Sequence, residues 1–333
     1  MTGKGRKMKL QLLVPHWKEE PWEMFPLLDS VALQQSVDFK EVGMVIVYDG
    51  DEATELPELD WQRKYPYDIQ FVNAPHGGVS AARNAALDAA TADYVMFCDS
   101  DDMFCHACGL WIVFNEIEKG FDTMASNFTE ETRHPDTKKP VYISHDRDST
   151  FVHGKVHRRQ YLVDNRIRFN PALTIHEDSY FNILAQNLTE KPMYMPTPFY
   201  LWRWRDNSVC RHDPNYLLKT YVNMLDSNDA LVDEFHVRGR EDKAMFYAGF
   251  MVFDAYYTMN KKEWMDVNNK EYRDMTERRF AVYFRKHKEQ WERLPHTEKM
   301  NISNGIRTRS ITEGMGLESM TIGEWLKHIE EVA

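Results

Sequence analysis

The sequence is poor in cysteine and has no long apolar segment. Four cysteines in 333 residues do not make a disulfide framework, so we expect a reducing, cytoplasmic setting. No run reaches the roughly 18 apolar residues that a membrane-spanning helix needs, so we expect no membrane span. The opening stretch MTGKGRKMKLQLLVPHW is basic and then only briefly apolar. This pattern predicts a first strand rather than a signal peptide.

An excess of basic residues is also absent. The chain carries 41 Lys and Arg against 52 Asp and Glu, a formal net charge of -11. This balance excludes a broad electrostatic footprint for nucleic acid, although local basic groups remain possible. Two such groups are present: Lys155, Arg158, Arg159, Arg166 and Arg168, and then Arg278, Arg279, Arg285, Lys286 and Lys288.

The spacing of Cys105 and Cys108 in the stretch CHAC is typical of a metal site. A structural zinc ion takes four ligands, however, and Cys98 and Cys210 each stand alone in the sequence. We therefore interpret the pair as two half-buried thiols on the first turn of a helix.

Short apolar runs that end in polar residues dominate the first part of the chain. We predict strands over 10–15, 43–50, 68–75, 94–102 and 122–128, with helices over 22–35 and 79–90. Continuous apolar strands separated by helices predict an α/β fold, a mostly parallel sheet with helices on both faces. In such sheets ligands bind beyond the carboxyl ends of the strands, where His16, Asp49, Asn73 and Asp99 are found.

The stretch DYVMFCDSDDMF, residues 93–104, ends a buried strand in several acids. Packed together, Asp99, Asp101 and Asp102 would repel and raise one another's pKa, so a nearby positive charge or full solvation is required. Mg²⁺ and Mn²⁺ prefer oxygen ligands and are often held by one or two carboxylates with substrate phosphates. On this segment alone, a divalent cation site and a solvated acidic turn that caps the next helix both remain open.

Two glycines precede a predicted helix in HGGVSAARNAALDAA, residues 76–90. Gly77 and Gly78 let the backbone approach a ligand closely, and Arg83 suits a phosphate or a base carbonyl. A glycine turn followed by a surface arginine is the alternative.

Five segments in one order, VPHW, VYDGD, GGVSAARNAAL, YVMFCDSDD and HEDSYF, resemble the family-2 glycosyltransferases with the GT-A fold, of the bacterial or phage type. The similarity covers roughly residues 8–212. It implies a Rossmann-like sheet that binds a nucleotide-sugar, and a UDP-sugar is the expected donor.

The resemblance also implies where the donor binds. In the family, the first strand ends in a proline and a polar-aromatic pair that receives the nucleobase, and Pro15, His16 and Trp17 match. Tryptophan stands where tyrosine is common, and its face can also stack on uracil. The usual first acid of the second strand is replaced by Tyr48, while Asp49 is kept and would hydrogen-bond the uracil. Further expected donor-binding residues are Gly77, Arg83, Asp99, Ser100, Lys155, Arg211 and His212.

By the same resemblance, Asp101 is the main ligand of a Mn²⁺ or Mg²⁺ ion, and Asp99 contacts the ribose and the metal. Asp102 would orient these residues without binding the metal itself. An inverting transfer also needs a base for the acceptor hydroxyl. The stretch HEDSYF supplies Glu177 and Asp178 at a predicted helix start, and the family's base is the aspartate, Asp178. Both acids would also be explained by the preference of carboxylates for a helix N-terminus.

Two later segments resemble further parts of the family's site. In FVHGKVHRRQYL, His153 and Lys155 are expected to line the donor or acceptor pocket. In YLWRWRDNSVCRH, Arg211 and His212 are expected to close over the diphosphate, where a cation would offset the charge of the leaving group.

From about residue 214 the pattern changes to amphipathic helices, over 216–235, 241–259, 272–294 and 321–332. We therefore predict two regions. Residues 1–213 form the GT-A domain that binds the donor and catalyses transfer, and residues 214–333 form a helical region that packs on it or makes an oligomer contact.

The sequence leaves the acceptor open. A glycan is the first expectation. A phage enzyme that glycosylates hydroxymethylpyrimidine bases in DNA is the alternative, because the basic groups could track a phosphate backbone, although solvated helix faces would explain them as well. A non-catalytic module that binds nucleotide-sugars is a further alternative, which the loss of Asp101 or Asp178 would have favoured.

Overall fold

The computed structural model describes residues 8–55, 61–206, 208, 215–312 and 320–332. The chain divides into two compact units, Met1–Asp206 and Asn207–Ala333. The domain boundary predicted between residues 213 and 214 lies outside the described residues. Each unit has its own buried apolar cluster.

The first unit contains two sheets and six helices among its described residues. The strands are β1 (Leu10–His16), β2 (Val42–Asp49), β3 (Asp68–Ala74), β4 (Tyr94–Phe97), β5 (Met103–Phe104), β6 (Thr123–Ser126), β7 (Phe128–Arg133), β8 (Pro140–His145), β9 (Lys155–Arg158), β10 (Pro192–Met195) and β11 (Tyr200–Trp202). The helices are α1 (Pro21–Ala32), α2 (Trp61–Lys64), α3 (Gly78–Ala89), α4 (Gly109–Ile117), α5 (Arg159–Asp164) and α6 (Glu177–Leu188), with a 3-10 helix at Phe39–Glu41.

The larger sheet has seven strands in the order β10-β6-β9-β4-β1-β2-β3. β1 pairs in parallel with β2 and β4, β2 with β3, and β10 with β6. β9 is antiparallel to both of its neighbours, β4 and β6. The β-branched run at the centre of β2 favours this extended, buried conformation. The mostly parallel sheet predicted from the sequence is confirmed.

Alternation along the central strands places helices on both faces of this sheet. Leu10, Leu12 and Val14 of β1 join the apolar side chains of α1 in one buried cluster. Leu13 is equally buried but faces the other side, because successive side chains of a strand alternate. On the β1 and β2 strands, α3 provides the second helical layer.

A smaller sheet has the order β5-β11-β7-β8. β11 is antiparallel to β5 and parallel to β7, and β7 forms an antiparallel hairpin with β8. β5 directly follows the aspartate segment after β4. Because β5 pairs with β11, the small sheet places that segment next to β11. The single strand predicted over 122–128 is in fact two elements, β6 and the start of β7, in two different sheets.

The second unit is helical, as predicted. Its helices are α7 (Tyr216–Val237), α8 (Glu241–Met259), α9 (Lys262–Met265), α10 (Lys270–Arg293), α11 (His296–Thr312) and α12 (Ile322–Glu331), with a 3-10 helix at Val267–Asn269. α8 packs against α7, α10 and α11, and α12 packs against α10. Buried aromatic residues such as Phe280, Tyr283 and Trp325 form the centre of this cluster.

Two further predictions from the sequence concern a membrane span and the cysteine pair of the CHAC stretch. None of the helices in the described ranges has both the length and the apolar character required to cross a membrane. Cys98 is buried, Cys105 is exposed and Cys108 is half-buried. Cys108 lies at the cap of α4, and Cys105 lies before that helix rather than on its first turn.

Candidate active site

The carboxyl ends of β1, β2 and β4 lie side by side, since β1 pairs in parallel with both other strands. His16 ends β1, Asp49 ends β2, and Asp99 comes just after β4. The sheet therefore brings together three of the residues predicted from the sequence. In an open parallel sheet this edge is where ligands bind.

The segment at the end of β1 buries its histidine and presents one aromatic face. Trp17 is 39% exposed and stacks on His76 with ring centroids 5.3 Å apart. His16 is 1% exposed, and its Nε2 lies 2.6 Å from the Thr54 carbonyl oxygen. Pro15 precedes it within the strand and is half-buried. Of the predicted trio, Trp17 is the residue most open to a planar base.

Asp49 holds the turn that begins α3. Its Oδ1 accepts a hydrogen bond from the Gly77 amide at 2.9 Å, and its Oδ2 accepts one from the Gly78 amide at 3.1 Å. Gly78 has a φ of +77°, in the left-handed region that favours glycine. The role of Asp49 toward a nucleobase stays a prediction, but the fold also makes its carboxylate the acceptor for the amides of Gly77 and Gly78 at the start of α3.

Replacing Asp49 with alanine is expected to lower the free energy of unfolding by roughly 0.5–2 kcal/mol, because the first turn of α3 loses the carboxylate that caps its amides. Urea unfolding followed by circular dichroism measures the change. Asp51→Ala is the matched control, since Asp51 is exposed and its removal should cost less than ~0.5 kcal/mol. Equal stability of the two variants would contradict this capping role.

Arg83 joins the two acidic segments of the site. Its Nη1 donates to Glu177 at 2.8 Å, and its Nη2 donates to Asp99 at 2.9 Å. Burial alone would lower the pKa of Arg83, but Asp99 and then Glu177 raise it above its ordinary value. Charge-assisted hydrogen bonds of this kind are strong and directional. Arg83 therefore fixes the position of the strand end relative to the start of α6.

The last two aspartates of the strand-end segment have different partners. Asp101 Oδ2 accepts a hydrogen bond from Arg205 at 2.9 Å. Asp102 is fully buried. Its carboxylate accepts from the Tyr200 hydroxyl at 2.7 Å and from the Arg203 amide at 2.9 Å. Asp102 is thus built into the fold, while the carboxylate of Asp101 stays partly accessible, with its side chain 20% exposed.

The mutual repulsion expected from the sequence acts on two of these three carboxylates. Burial and the Asp99 charge raise the pKa of Asp101. Burial and the charges of Asp101 and Asp99 raise the pKa of Asp102 well above its ordinary value. Burial would also raise the pKa of Asp99, but Arg83 lowers it below its ordinary value. A further positive charge at this place would relieve the remaining repulsion.

His153 forms a cluster with Asp99 and Asp102. Within the described ranges, one ligand atom from each of the three lies within 4.8 Å of the others. The His153 ring is 3% exposed, and burial lowers its pKa to about 4. The sequence predicted His153 only as a pocket-lining residue. A neutral imidazole beside two carboxylates is a set of ligands that can hold a divalent cation.

Asp178 lies in the first turn of α6 beside Glu177. Burial, and then the charge of Glu177, raise the pKa of Asp178 to about 7. His176, the residue just before the helix, has a φ of 64°, which is uncommon for residues other than glycine. The chain thus turns sharply where the helix begins. A carboxyl group with a pKa near neutrality suits general base catalysis.

Lys155 and Ser100 are buried in the fold, at 1% and 3% exposure. Lys155 Nζ donates to Asp148 at 3.2 Å, and burial lowers the pKa of Lys155. Arg211 and His212 lie outside the described residues. The roles of these four toward the donor stay predictions.

Comparison with known proteins agrees with the sequence motifs. Residues 13–172 match the family model described as Glycosyl transferase family 2. EpsJ of Bacillus subtilis (strain 168), described as an uncharacterized glycosyltransferase, is 23% identical over 220 residues, which cover 60% of this chain and 62% of the relative. The glycosyltransferase GlyA of Streptococcus pneumoniae is 25% identical over 232 residues, 61% of this chain and 32% of the relative. The chain thus spans less than two thirds of the length of these curated relatives.

Among solved structures, S. aureus TarS 1-349 is similar in fold. The TM-score is 0.58 at 16% sequence identity, with 92% of each chain covered. This likeness confirms the fold that the motifs implied. The family match over residues 13–172, the glycosyltransferase relatives and the shared fold all agree with the resemblance to glycosyltransferase family 2 that the motifs implied.

Proposed function

We propose that the protein is an inverting, metal-dependent glycosyltransferase that moves a sugar from a UDP-sugar to an acceptor hydroxyl. The observation that supports this most strongly is the carboxyl group of Asp178. Its pKa is raised to about 7, and Arg83 links its neighbour Glu177 to Asp99 at the strand ends. A base poised near neutrality beside a nucleotide-binding sheet edge is what a transfer to a hydroxyl requires.

Asp178 takes the proton of the acceptor hydroxyl as that oxygen attacks the anomeric carbon. The new bond forms on the face opposite the diphosphate, the bond between sugar and diphosphate breaks, and the configuration at the anomeric carbon inverts. Arg83 pairs with the neighbouring Glu177 and so fixes the start of α6, where Asp178 lies. Holding the base in place in this way contributes to the rate through orientation.

The donor is bound, on this proposal, across the carboxyl ends of β1, β2 and β4. The partly exposed Trp17 ring stacks on the uracil, in the place where Lys18 Nζ now lies 4.3 Å from the ring centroid, with His16 and Asp49 beside it. Asp99, whose side chain is 31% exposed, faces the ribose. Arg211 and His212 are proposed to approach the diphosphate.

The residues present fit a Mn²⁺ or Mg²⁺ ion. Asp99 and Asp101 would hold it, since both offer carboxylate oxygens and both are partly exposed. Burial and then the Asp99 charge raise the pKa of Asp101, so a cation at this place would favour its ionised form. When bound, the cation would stabilise the charge of the departing diphosphate. Arg205 also pairs with Asp101.

A glycan is the proposed acceptor, and the pairing of the basic residues favours it over DNA. Several members of both basic groups have a carboxylate partner within the same unit: Arg158–Asp122, Arg168–Asp88, Arg279–Asp229 and Lys286–Asp229. Cations that are already paired contribute less to binding a phosphate backbone. Hydroxymethylated DNA stays the alternative acceptor. A cytoplasmic location and an oligomer contact through the helices of residues 214–333 also stay predictions.

The activity of the enzyme is expected to rise with pH and level off above about pH 7. Asp178 must be deprotonated to act as a base, and its pKa is about 7, so kcat/KM should fall tenfold for each pH unit below that value. A pH profile at saturating Mn²⁺ measures this. A profile that is flat from pH 5.5 to 8.5 would mean that the base ionises elsewhere or that chemistry does not limit the rate.

The proposed function is tested by UDP release from a panel of UDP-sugars, with and without candidate glycans and hydroxymethylated DNA. Release that is stimulated by one acceptor, with a product whose anomeric configuration is opposite to that of the donor by NMR, is expected. Binding of UDP-sugars with no release under any condition would favour the non-catalytic module instead.

A further inference from the structure

His153 is surrounded by aromatic rings. These neighbours account for a flat ring at this position but not for its polar nitrogen atoms. Its ring stacks on Tyr200 with centroids 5.1 Å apart and on Trp202 with centroids 5.3 Å apart. A phenylalanine would stack in this place equally well. It would also avoid placing a polar nitrogen in a buried position.

The Nδ1 atom of His153 is buried and has no hydrogen-bond partner. A buried polar atom without a partner costs roughly 1–3 kcal/mol, and such atoms are rare in folded proteins. This nitrogen lies 3.6 Å from Asp102 Oδ2, which is too long for a hydrogen bond. His153 Nδ1 and Asp102 Oδ2 therefore face each other without a hydrogen bond between them.

The distance suits a shared metal ion. Two atoms that each lie ~2.1 Å from one ion can be up to ~4.2 Å apart, and the observed 3.6 Å falls within that limit. Asp102 Oδ2 accepts a hydrogen bond from Tyr200, which leaves this oxygen a second lone pair for an ion. Asp99 contributes a third ligand atom to the same cluster, and its partly exposed side chain provides the way in from solvent.

We propose that His153 Nδ1 is a ligand of the divalent cation, together with Asp99 and Asp102, and that this nitrogen makes the site prefer Mn²⁺ to Mg²⁺. The inference rests on the proposed function, in which Asp99 and Asp101 hold the ion. A six-coordinate ion has room for the additional ligands. Both ions take oxygen ligands, but Mg²⁺ demands them in a near-ideal octahedron, whereas Mn²⁺, as a first-row transition metal, also accepts a nitrogen ligand.

Pulsed EPR of Mn²⁺ bound to the full chain in the presence of UDP tests the proposal. The protein is labelled with ¹⁵N and the UDP is not, so coupling to ¹⁵N identifies a nitrogen ligand from the protein. We expect this coupling in the wild type and its loss in His153→Gln. Mn²⁺ affinity should fall at least ~10-fold in that variant, and Mg²⁺ affinity should change less. His145→Gln is the control, because His145 lies in the same unit and its Nε2 is held by Glu130 at 2.7 Å.

Each result decides the question. Bound Mn²⁺ without ¹⁵N coupling in the wild type overturns the proposal and leaves the proposed function standing, and this result needs no variant to fold. An unchanged ratio of Mn²⁺ to Mg²⁺ affinity in His153→Gln overturns the claimed preference. Failure of the wild type to bind Mn²⁺ with UDP present overturns both the proposal and the metal dependence on which it rests.

Discussion

The Asp178→Asn variant is expected to bind UDP with near wild-type affinity and to lose sugar transfer by ~10²-fold or more, the usual scale for a lost general base. An amide of the same size cannot take a proton from the acceptor, but it leaves the donor site at the strand ends unchanged. Steady-state kinetics and UDP titration on the same preparation separate the two effects. Asp164→Asn makes the same change at an exposed position of the same unit and should behave as the wild type.

The stability of this variant distinguishes loss of the base from loss of the fold. Burial raises the pKa of Asp178 from 3.8 to about 7, so between these values the folded state holds a proton that the unfolded chain releases. The wild type therefore loses stability as pH rises through that window, and the amide does not. A Tm at pH 8 at or above that of the wild type is expected. Weak UDP binding by the variant would instead assign Asp178 to the donor site.

The Asp101→Asn variant is expected to lose metal-dependent donor binding, and turnover with it. An amide is a weaker ligand than a carboxylate for Mn²⁺ or Mg²⁺, and a weakened metal site costs at least ~10-fold in metal affinity. UDP titrations with Mn²⁺ and with EDTA should give the same weak binding in this variant.

Asp136→Asn is the matched control, since Asp136 is exposed in the turn between β7 and β8. It should keep the full difference between Mn²⁺ and EDTA. If Asp101→Asn retained wild-type activity, the assignment of Asp101 as a metal ligand would be wrong.

The parallel centre of the main sheet could be predicted from the sequence because its strands carry strong local signals, whereas β9 and β10 of the same sheet were not predicted. β1, β2 and β3 are apolar runs with turn residues after them, and each begins and ends close to the predicted residues. β4 begins where it was predicted but ends at Phe97, so the aspartates predicted at the end of this strand lie in the segment after it. The small sheet gave no such signal, because β5 and β11 have two and three residues and β7 is largely polar. Helix α11 was also missed, since its apolar residues show no clear helical period.

The candidate site likewise has parts that the sequence could identify and parts that it could not. The acids of the strand end and of the HEDSYF stretch are local features, so the sequence identified them. Their partners are distant in sequence: Arg205 reaches Asp101, Tyr200 reaches Asp102, and His153 closes the cluster. These contacts form because the chain passes from the larger sheet to the smaller one. The burial that raises the pKa of Asp178 likewise depends on tertiary packing and could not be read from residue order.

The proposed donor site is tested most directly by calorimetric titration of the wild-type chain with UDP, in Mn²⁺ and in EDTA, with GDP, CDP and ADP alongside. We expect tight binding of UDP in Mn²⁺, a large loss of affinity in EDTA, and weaker binding of the other nucleotides. Equal UDP binding in Mn²⁺ and EDTA would contradict the metal site. Failure to bind any of the four nucleotides would contradict the proposal that the strand ends of this sheet hold a nucleotide-sugar.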